Sequence, residues 1–169
     1  MIKNKPKLGE KHDVISVSTS ADLQTHIVNM VSQATNNIKM LSRKMDARLT
    51  NNSDFIEVLR SCIVYNPNFN LKILIYNLEE FLSQHHQILD LSQRLSSNIT
   101  IRVLNKEQQH HNNDIILVDN AGVIFREHSD RYESTIEYHN KSKNLNFTRQ
   151  FNEFWEHGVR DNNLYRLGI

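Results

Sequence analysis

Residues 110–122 read His-His-Asn-Asn-Asp-Ile-Ile-Leu-Val-Asp-Asn-Ala-Gly, and Val123-Ile124-Phe125-Arg126 follow. Two histidines and two asparagines open the stretch as a polar loop. Asp114 to Val118 is then a short run dominated by aliphatic residues, which reads as a strand. Asp119-Asn120-Ala121-Gly122 is turn chemistry, because Asp, Asn and Gly tolerate the dihedrals that a tight reversal needs. Gly122 to Arg126 is apolar again. The stretch therefore predicts two strands joined at Asp119.

The rest of the chain supplies the frame. Val14 to Val17 is a short alternation suited to an edge strand. Thr19-Ser20-Ala21-Asp22 has capping-box spacing and predicts a helix with Leu23, Ile27, Met30, Val31 and Ala34 on one face. Ile38 to Arg43 alternates as a strand. Asn51-Asn52-Ser53 caps a second helix with Phe55, Val58, Leu59 and Cys62 inward. Leu71 to Tyr76 is nearly all apolar, the mark of a strand buried on both faces. Leu78 to about Leu95 repeats apolar residues at helical spacing and predicts one long helix, with His85 half-buried on its stripe. Ile99 to Leu104 is a third strand, 105–113 a polar loop, and Ser134 to Tyr138 a weaker strand. Ser142 to His157 is a last helix, with Leu145, Arg149, Phe151, Phe154 and Trp155 partly on one face and Gly158 as its C′ residue. Helices alternate with strands and then strands cluster, so the fold class is α/β, a mixed sheet flanked by helices. No internal repeat is present.

Composition narrows the function. At 169 residues the chain fits one domain with a core of its own. Residues 1–13 read as a disordered, lysine-rich leader and 14–169 as the domain. A net charge of +1 gives no global attraction to nucleic acid or to an anionic membrane, and leaves only local patches. The one cysteine, Cys62, falls on an apolar stripe and reads as a buried, inert thiol. There is no apolar leader and no run of roughly 18 apolar residues, so a cytoplasmic protein without a membrane span is expected. No Gly-x-Ser-x-Gly elbow or glycine-rich phosphate loop occurs. His110, His111 and Asp114 have metal-ligand chemistry, but no second ligand pair stands at a fixed spacing. His85 and His86 diverge by about 100° around a helix. Neither a metal nor a cofactor is expected.

The 112–122 segment resembles the catalytic segment of the phospholipase D superfamily, His-x-Lys-x4-Asp followed by a turn. Aligned on Asp119, Asn112 stands at the histidine and Asp114 at the lysine. Further stretches are similar to a bacterial family of uncharacterised phospholipase D-like proteins: Ser42 to Leu49, Val123 to Arg126, and Phe151 to Gly158. The resemblance spans about residues 20 to 160. It implies one phospholipase D-like lobe, with parallel strands crossed by helices and a hairpin bearing the motif. It also implies a lost activity. Asparagine does not attack phosphorus as imidazole does, and aspartate repels the phosphate that lysine attracts. Active members pair two lobes across one site, so a homodimer or a partner lobe is implied.

Ligands of open α/β sheets sit beyond the carboxyl ends of the strands. The polar residues at those exits are Arg43, Asp46 and Arg48, then His111 and Asp114, then Arg126 and Tyr132, with Glu127, His128 and Arg131 close by. Two arrangements are open. The arginines form a cleft for a phosphate-bearing ligand, or Asp46 and Asp114 neutralise them in an ion-pair cluster. Three functions follow: a non-catalytic module that binds a phosphate-bearing ligand or nucleic acid; an enzyme of another kind using His111, Asp114 or His128; or an assembly protein acting as a homodimer.

Overall fold

The computed structural model of the chain describes residues 4–165. Its elements are β1 (Ile15–Val17), α1 (Ser20–Val31), β2 (Asn37–Ser42), α2 (Ala47–Thr50), α3 (Ser53–Tyr65), β3 (Asn70–Ile75), α4 (Leu78–Ser83), α5 (Gln87–Arg94), β4 (Ile99–Val103), β5 (Asp114–Val118), β6 (Gly122–Arg126), β7 (Ser134–Glu137) and α6 (Lys141–His157). The strands form one seven-stranded sheet in the order β1-β7-β6-β5-β2-β3-β4. β2, β3 and β4 are parallel, and every other pairing is antiparallel.

Register explains the layers. Ile136, Ile124, Ile116, Met40, Ile73 and Ile101 are successive cross-strand partners, and all six are buried on one face. That face takes Leu23, Ile27 and Met30 of α1, Leu49 of α2, Phe55 and Leu59 of α3, Phe81 of α4, and Ile88 of α5. The adjacent row points the other way and runs Phe125, Ile115, Leu41, Leu74. It packs under Phe151, Phe154 and Trp155 of α6. One face thus carries five helices and the opposite face one.

The expected α/β architecture holds, with local departures that have physical reasons. The long helix expected from Leu78 to Leu95 is broken into α4 and α5. His85 takes a left-handed φ of 48° at the break. The Gln84 side chain reaches back to the Ala47 N–H and the Lys44 carbonyl, at 2.8 and 2.6 Å, and the His86 ring caps α5 through the Ile88 N–H. So His86, not His85, is the buried histidine, at 2% exposure, while His85 faces solvent. The segment 4–13, expected to be disordered, lies against α1 and β7. Pro6 is buried, its carbonyl accepts from Gln33 at 3.0 Å, and the Gly9 N–H donates to the Tyr138 carbonyl at 2.9 Å. Leu145 and Arg149 of α6 are exposed rather than inward. Gly158 is extended, at φ −68°, not left-handed. A Cβ there would stand 3.1 Å from the Leu74 side chain and 3.3 Å from Arg102, so close approach of the chain to the sheet is what favours glycine. β3 is interior and Ile73 and Ile75 are fully buried, but Lys72 is only half-buried, so the strand is not covered on both faces throughout. Cys62 is buried as expected; burial pushes its thiol up to about 11, and its Sγ donates to the Val31 carbonyl.

Both sheet edges are blunted, as unpaired strands must be to avoid pairing with another chain. β1 has three residues. Val159 forms a bridge to Val103 on β4, and the Tyr165 hydroxyl donates to the Ile101 carbonyl at 2.8 Å.

Candidate functional site

The polar cluster lies where β2 and β3 end and β5 begins. Asp114 and Arg126 are direct partners across the β5–β6 hairpin. The residue beside Asp114 on β2 is Ser42. These three stand on the face packed against α1 and α2, one row past the isoleucines. The chain turns sharply after Ser42: Met45 is left-handed at φ 55°, held by its N–H on Ser42 Oγ at 3.0 Å and by burial of its side chain. Asp46 then caps α2 by accepting from the Arg48 N–H at 3.0 Å.

Asp114 is 9% exposed and Arg126 is 4% exposed. Their side chains form an ion pair through Arg126 Nη2. Asp114 also accepts from Ser42 Oγ at 3.2 Å and from the Arg43 N–H at 3.1 Å. Arg126 Nη1 lies 3.9 Å from Asp46 Oδ2 and has no hydrogen-bond partner. The Tyr132 hydroxyl donates to that same Asp46 oxygen at 3.1 Å, and the Tyr132 ring faces the guanidinium at 5.8 Å. One buried cation therefore faces two carboxylates. The cavity they border is about 30 Å³, with aliphatic walls from Leu23, Ile27, Met40 and Leu49. That is room on the scale of two water molecules, and not for a phosphate group.

His86 backs this cluster. Its Nδ1 accepts from the Ile88 N–H, so its proton sits on Nε2, 3.0 Å from Thr50 Oγ1. Thr50 Oγ1 in turn donates to the Asp46 carbonyl at 3.1 Å. Burial depresses the imidazole to about 4, so the ring is neutral.

The remaining expected residues lie elsewhere. Arg43 turns outward to Glu80 at 3.0 Å, and Lys44 joins the same carboxylate at 3.4 Å. The arginine and lysine hold Glu80 below the usual carboxylate range. Arg48 is exposed and engages the cluster through its backbone alone. The His111 ring lies between those of His110 and Phe154 in tilted contacts, with centroids at 4.4 and 4.9 Å, on the α6 side of the sheet; burial, and then the neighbouring histidine, lower its pKa. Arg43 and His111 do meet. With Tyr76, Asn77 and Gln109 they border an open rim pocket of about 170 Å³. His128, Glu127 and Arg131 border a third space, an open hollow of about 650 Å³ beside β1, β6 and β7. His111, Asp114 and His128 thus face three different spaces and do not make an acid–base set. No group of three or more His, Cys, Asp or Glu residues that could hold a metal ion occurs among the described residues.

The two other motif positions have structural work. Asn112 accepts from the Ser129 N–H and hydroxyl, at 2.8 and 2.7 Å, and pins the loop after β6. Asp119 sits at the far end of β5. It is left-handed, at φ 52°. Its carboxylate accepts from the N–H groups of Thr35, Asn36 and Asn37 and from the Thr35 hydroxyl, at 2.8–3.1 Å. Sequence reasoning missed Glu80, Tyr76 and Gln109. The only signal was position: Tyr76 is a polar-tipped residue closing an apolar strand, and Asn77 after it is a helix cap.

With this geometry in hand, comparison with solved structures gives a phospholipase D-like fold. Nuc from Salmonella typhimurium, a phospholipase D family member, matches with a TM-score of 0.61 at 15% identity, covering 87% of this chain and 96% of that one. NucT from Helicobacter pylori matches with a TM-score of 0.61 at 12% identity, covering 88% and 100%. TrmBL2, an archaeal chromatin protein whose structure showed a novel mode of DNA binding, matches with a TM-score of 0.63 at 18% identity, covering 90% of this chain; the chain spans 55% of that protein's length. No curated protein matches the sequence. The model of a domain of unknown function, DUF7931, matches residues 19–167, and the chain belongs to that family.

Proposed function

We propose that this DUF7931 chain is a phospholipase D-like module that binds and does not cleave. The observation that carries this reading is the buried Asp114–Arg126 pair. Where the superfamily motif has a phosphate-binding lysine, this chain has an acid, and that acid is neutralised by an arginine of the neighbouring strand beside a cavity of only about 30 Å³. Where the motif has its nucleophile, Asn112 is committed to Ser129. Converting the pair back into a phosphate site would leave two carboxylates in the path of the anion. Phosphodiester hydrolysis should not exceed background. Robust cleavage of a generic phosphodiester or of DNA by pure protein, abolished by Asp119→Asn or His111→Ala, would overturn the reading.

Within it, the ligand site is the rim pocket of Arg43, Tyr76 and His111. It is open and wide enough for a phosphate group, and Arg43 is 45% exposed there. Glu80 competes for the guanidinium, so affinity is weak and salt-sensitive. A titration with inorganic phosphate followed by amide chemical shifts tests it: the Arg43 and His111 amides move while those of Arg126 and Tyr132 do not. Static Arg43 and His111 amides at millimolar phosphate would remove this site. Two-fold pairing of lobes belongs to the same reading, and a monomer in sedimentation at high micromolar concentration would remove that part.

A further inference from the structure

The lightly covered face of the sheet carries cations where the other face carries aliphatics. Lys39 on β2 and Lys72 on β3 are direct partners in the parallel register, and Thr100 on β4 continues the row. Arg102 stands two residues further along β4, beside Leu74. All of them are half-buried. The same row reaches Leu117 and Val123 in the other direction, where α6 covers it.

None of the ion pairs among the described residues involves Lys39, Lys72 or Arg102. Lys39 Nζ donates to Asn37 Oδ1 at 2.9 Å. The Lys72 ammonium and the Arg102 guanidinium lie over the Trp155 ring, at 5.2 and 4.4 Å. Their stems are packed and none is ion-paired, although the Asp119 carboxylate acts on Lys39 as the one nearby opposite charge and Arg102 Nη1 donates to the Trp155 carbonyl at 2.7 Å. Directly opposed like charges destabilise a sheet, and parallel strands are normally covered on both faces. Beside Lys39 a hollow of about 360 Å³ opens along α6, bordered by Asn37, Lys141, Leu145 and Thr148. Asp119 also borders it, but its carboxylate is committed to the 35–37 backbone.

We propose that this strip, centred on Lys39 and Lys72 with Arg102 and Lys141 toward its ends, binds the phosphodiester backbone of a nucleic acid. A second copy of the chain is a poor occupant, because two-fold symmetry sets the strip's cations against those of its mate. An acidic peptide also fits less well. Its affinity depends on apolar anchor pockets, and Leu41 and Leu74 are already buried under Phe151, Phe154 and Trp155 of α6. The groups beside the cations are instead the amides of Asn37 and Asn70 and the hydroxyls of Thr100 and Thr148, donors that suit phosphate oxygens. The inference shares with the reading above only the premise that the chain binds rather than cleaves, and it uses a different surface from the rim pocket.

The test is fluorescence anisotropy of a labelled single-stranded oligonucleotide with the full chain. A single strand that crosses Lys39, Lys72 and one of the two end cations makes three phosphate contacts, which give a slope of about −2 in log K against log salt, or about twentyfold weaker binding on going from 50 to 200 mM. The Lys39→Gln/Lys72→Gln double variant should bind at least tenfold more weakly at low salt, with a slope shallower than about −1. Its circular dichroism should match the parent and its melting temperature should be no lower, since the opposed charges are removed. Arg60→Gln, which removes an exposed cation of α3 on the opposite face, should leave the binding unchanged. Parent-like binding by the double variant, no binding at low salt, or displacement by polyglutamate at equal charge concentration each overturns the strip. The rim pocket is read separately: if the Arg43 and His111 amides still shift with phosphate after the strip has failed, the earlier reading stands.

Discussion

The two ends of β5 carry one aspartate each, and they solve opposite problems. Asp114 is buried, salt-bridged to Arg126 and packed beneath α1 and α2. Asp119, five residues on, lies at the surface end, where it gathers the backbone N–H groups that open β2. In the phospholipase D-like resemblance, the first stands at the lysine position and the second at the one motif position that keeps its residue. The contrast teaches that a kept motif letter need not mark kept chemistry. Asp119 answers a backbone demand, a left-handed turn residue with two acceptor oxygens, that holds whether or not the strand catalyses anything. Asp114 answers a burial demand, since it needs a cation beside it and the cavity that the pair borders is too small for a phosphate group.

The largest effect should come from breaking the Asp114 end. Arg126→Leu leaves Asp114 buried against aliphatic walls without its cation. Removing one partner of a buried pair costs about 3–5 kcal/mol. Asp114→Leu alone should cost a similar amount, because Arg126 then has only Asp46 at 3.9 Å. The double variant Asp114→Leu/Arg126→Leu should recover most of the loss, since paired apolar replacements are often neutral. Urea unfolding of the four proteins gives the coupling energy directly. Additive losses would mean that the two charges are not mutually compensating, and the closed-network account of this end would go with them.

A smaller effect separates the two ends by pH. His86 supports the Asp46 turn from behind and is held neutral by burial at about 4. Its unfolded value is about 6.5. Between these pH values the unfolded chain takes up a proton that the folded chain refuses, so stability falls as pH drops from about 6.5 toward 4. At about 1.36 kcal/mol per pKa unit the loss approaches 3 kcal/mol. His86→Asn keeps a cap acceptor and cannot titrate, so its stability should be flatter over that window. Parallel pH curves for the two proteins would show that His86 is not the titrating group.

Local pattern carried the frame, and long-range pairing carried the site. The isoleucine row was legible because each member sits at an alternating position of its own strand, and the helix caps at Thr19 and Asn52 lie within three residues of the N–H groups they satisfy. The α4–α5 break was not legible. Its cause is Gln84 binding back to residues 44 and 47, a contact no helical periodicity encodes. At the site, the residue types at the strand exits were readable, and so was the choice between an open cleft and a neutralised cluster. What decides between them is register: Asp114 faces Arg126 only because Val118 pairs with Gly122 four residues away. Arg43 was placed at the right end of the sheet, but its partner Glu80 lies 37 residues downstream on a helix whose start was clear and whose facing was not. Lys72 was visible as the one charge inside an apolar run; the significance of Lys39 appears only once the two strands are set side by side.

The smallest effect belongs to the other end of β5 and is the sharpest check on the contrast. Asp119→Ala removes an acceptor for three backbone N–H groups and one hydroxyl, all at the surface or half-buried, where water can replace it. It also asks a Cβ-bearing residue without turn propensity to hold φ 52°. Surface capping losses run at about 1 kcal/mol and a left-handed alanine adds about 1 more, so the total should be about 2 kcal/mol. Asp119→Asn retains one oxygen and tolerates the left-handed conformation, so it should lose less than about 1 kcal/mol. The ordering matters more than either value. Measured beside Arg126→Leu under identical conditions, Asp119→Ala must be the milder change, and Asp119→Asn milder still. If Asp119→Asn proved as damaging as Arg126→Leu, the carboxylate charge itself would be at work at this end, and the preserved aspartate could no longer be treated as a turn-and-cap residue.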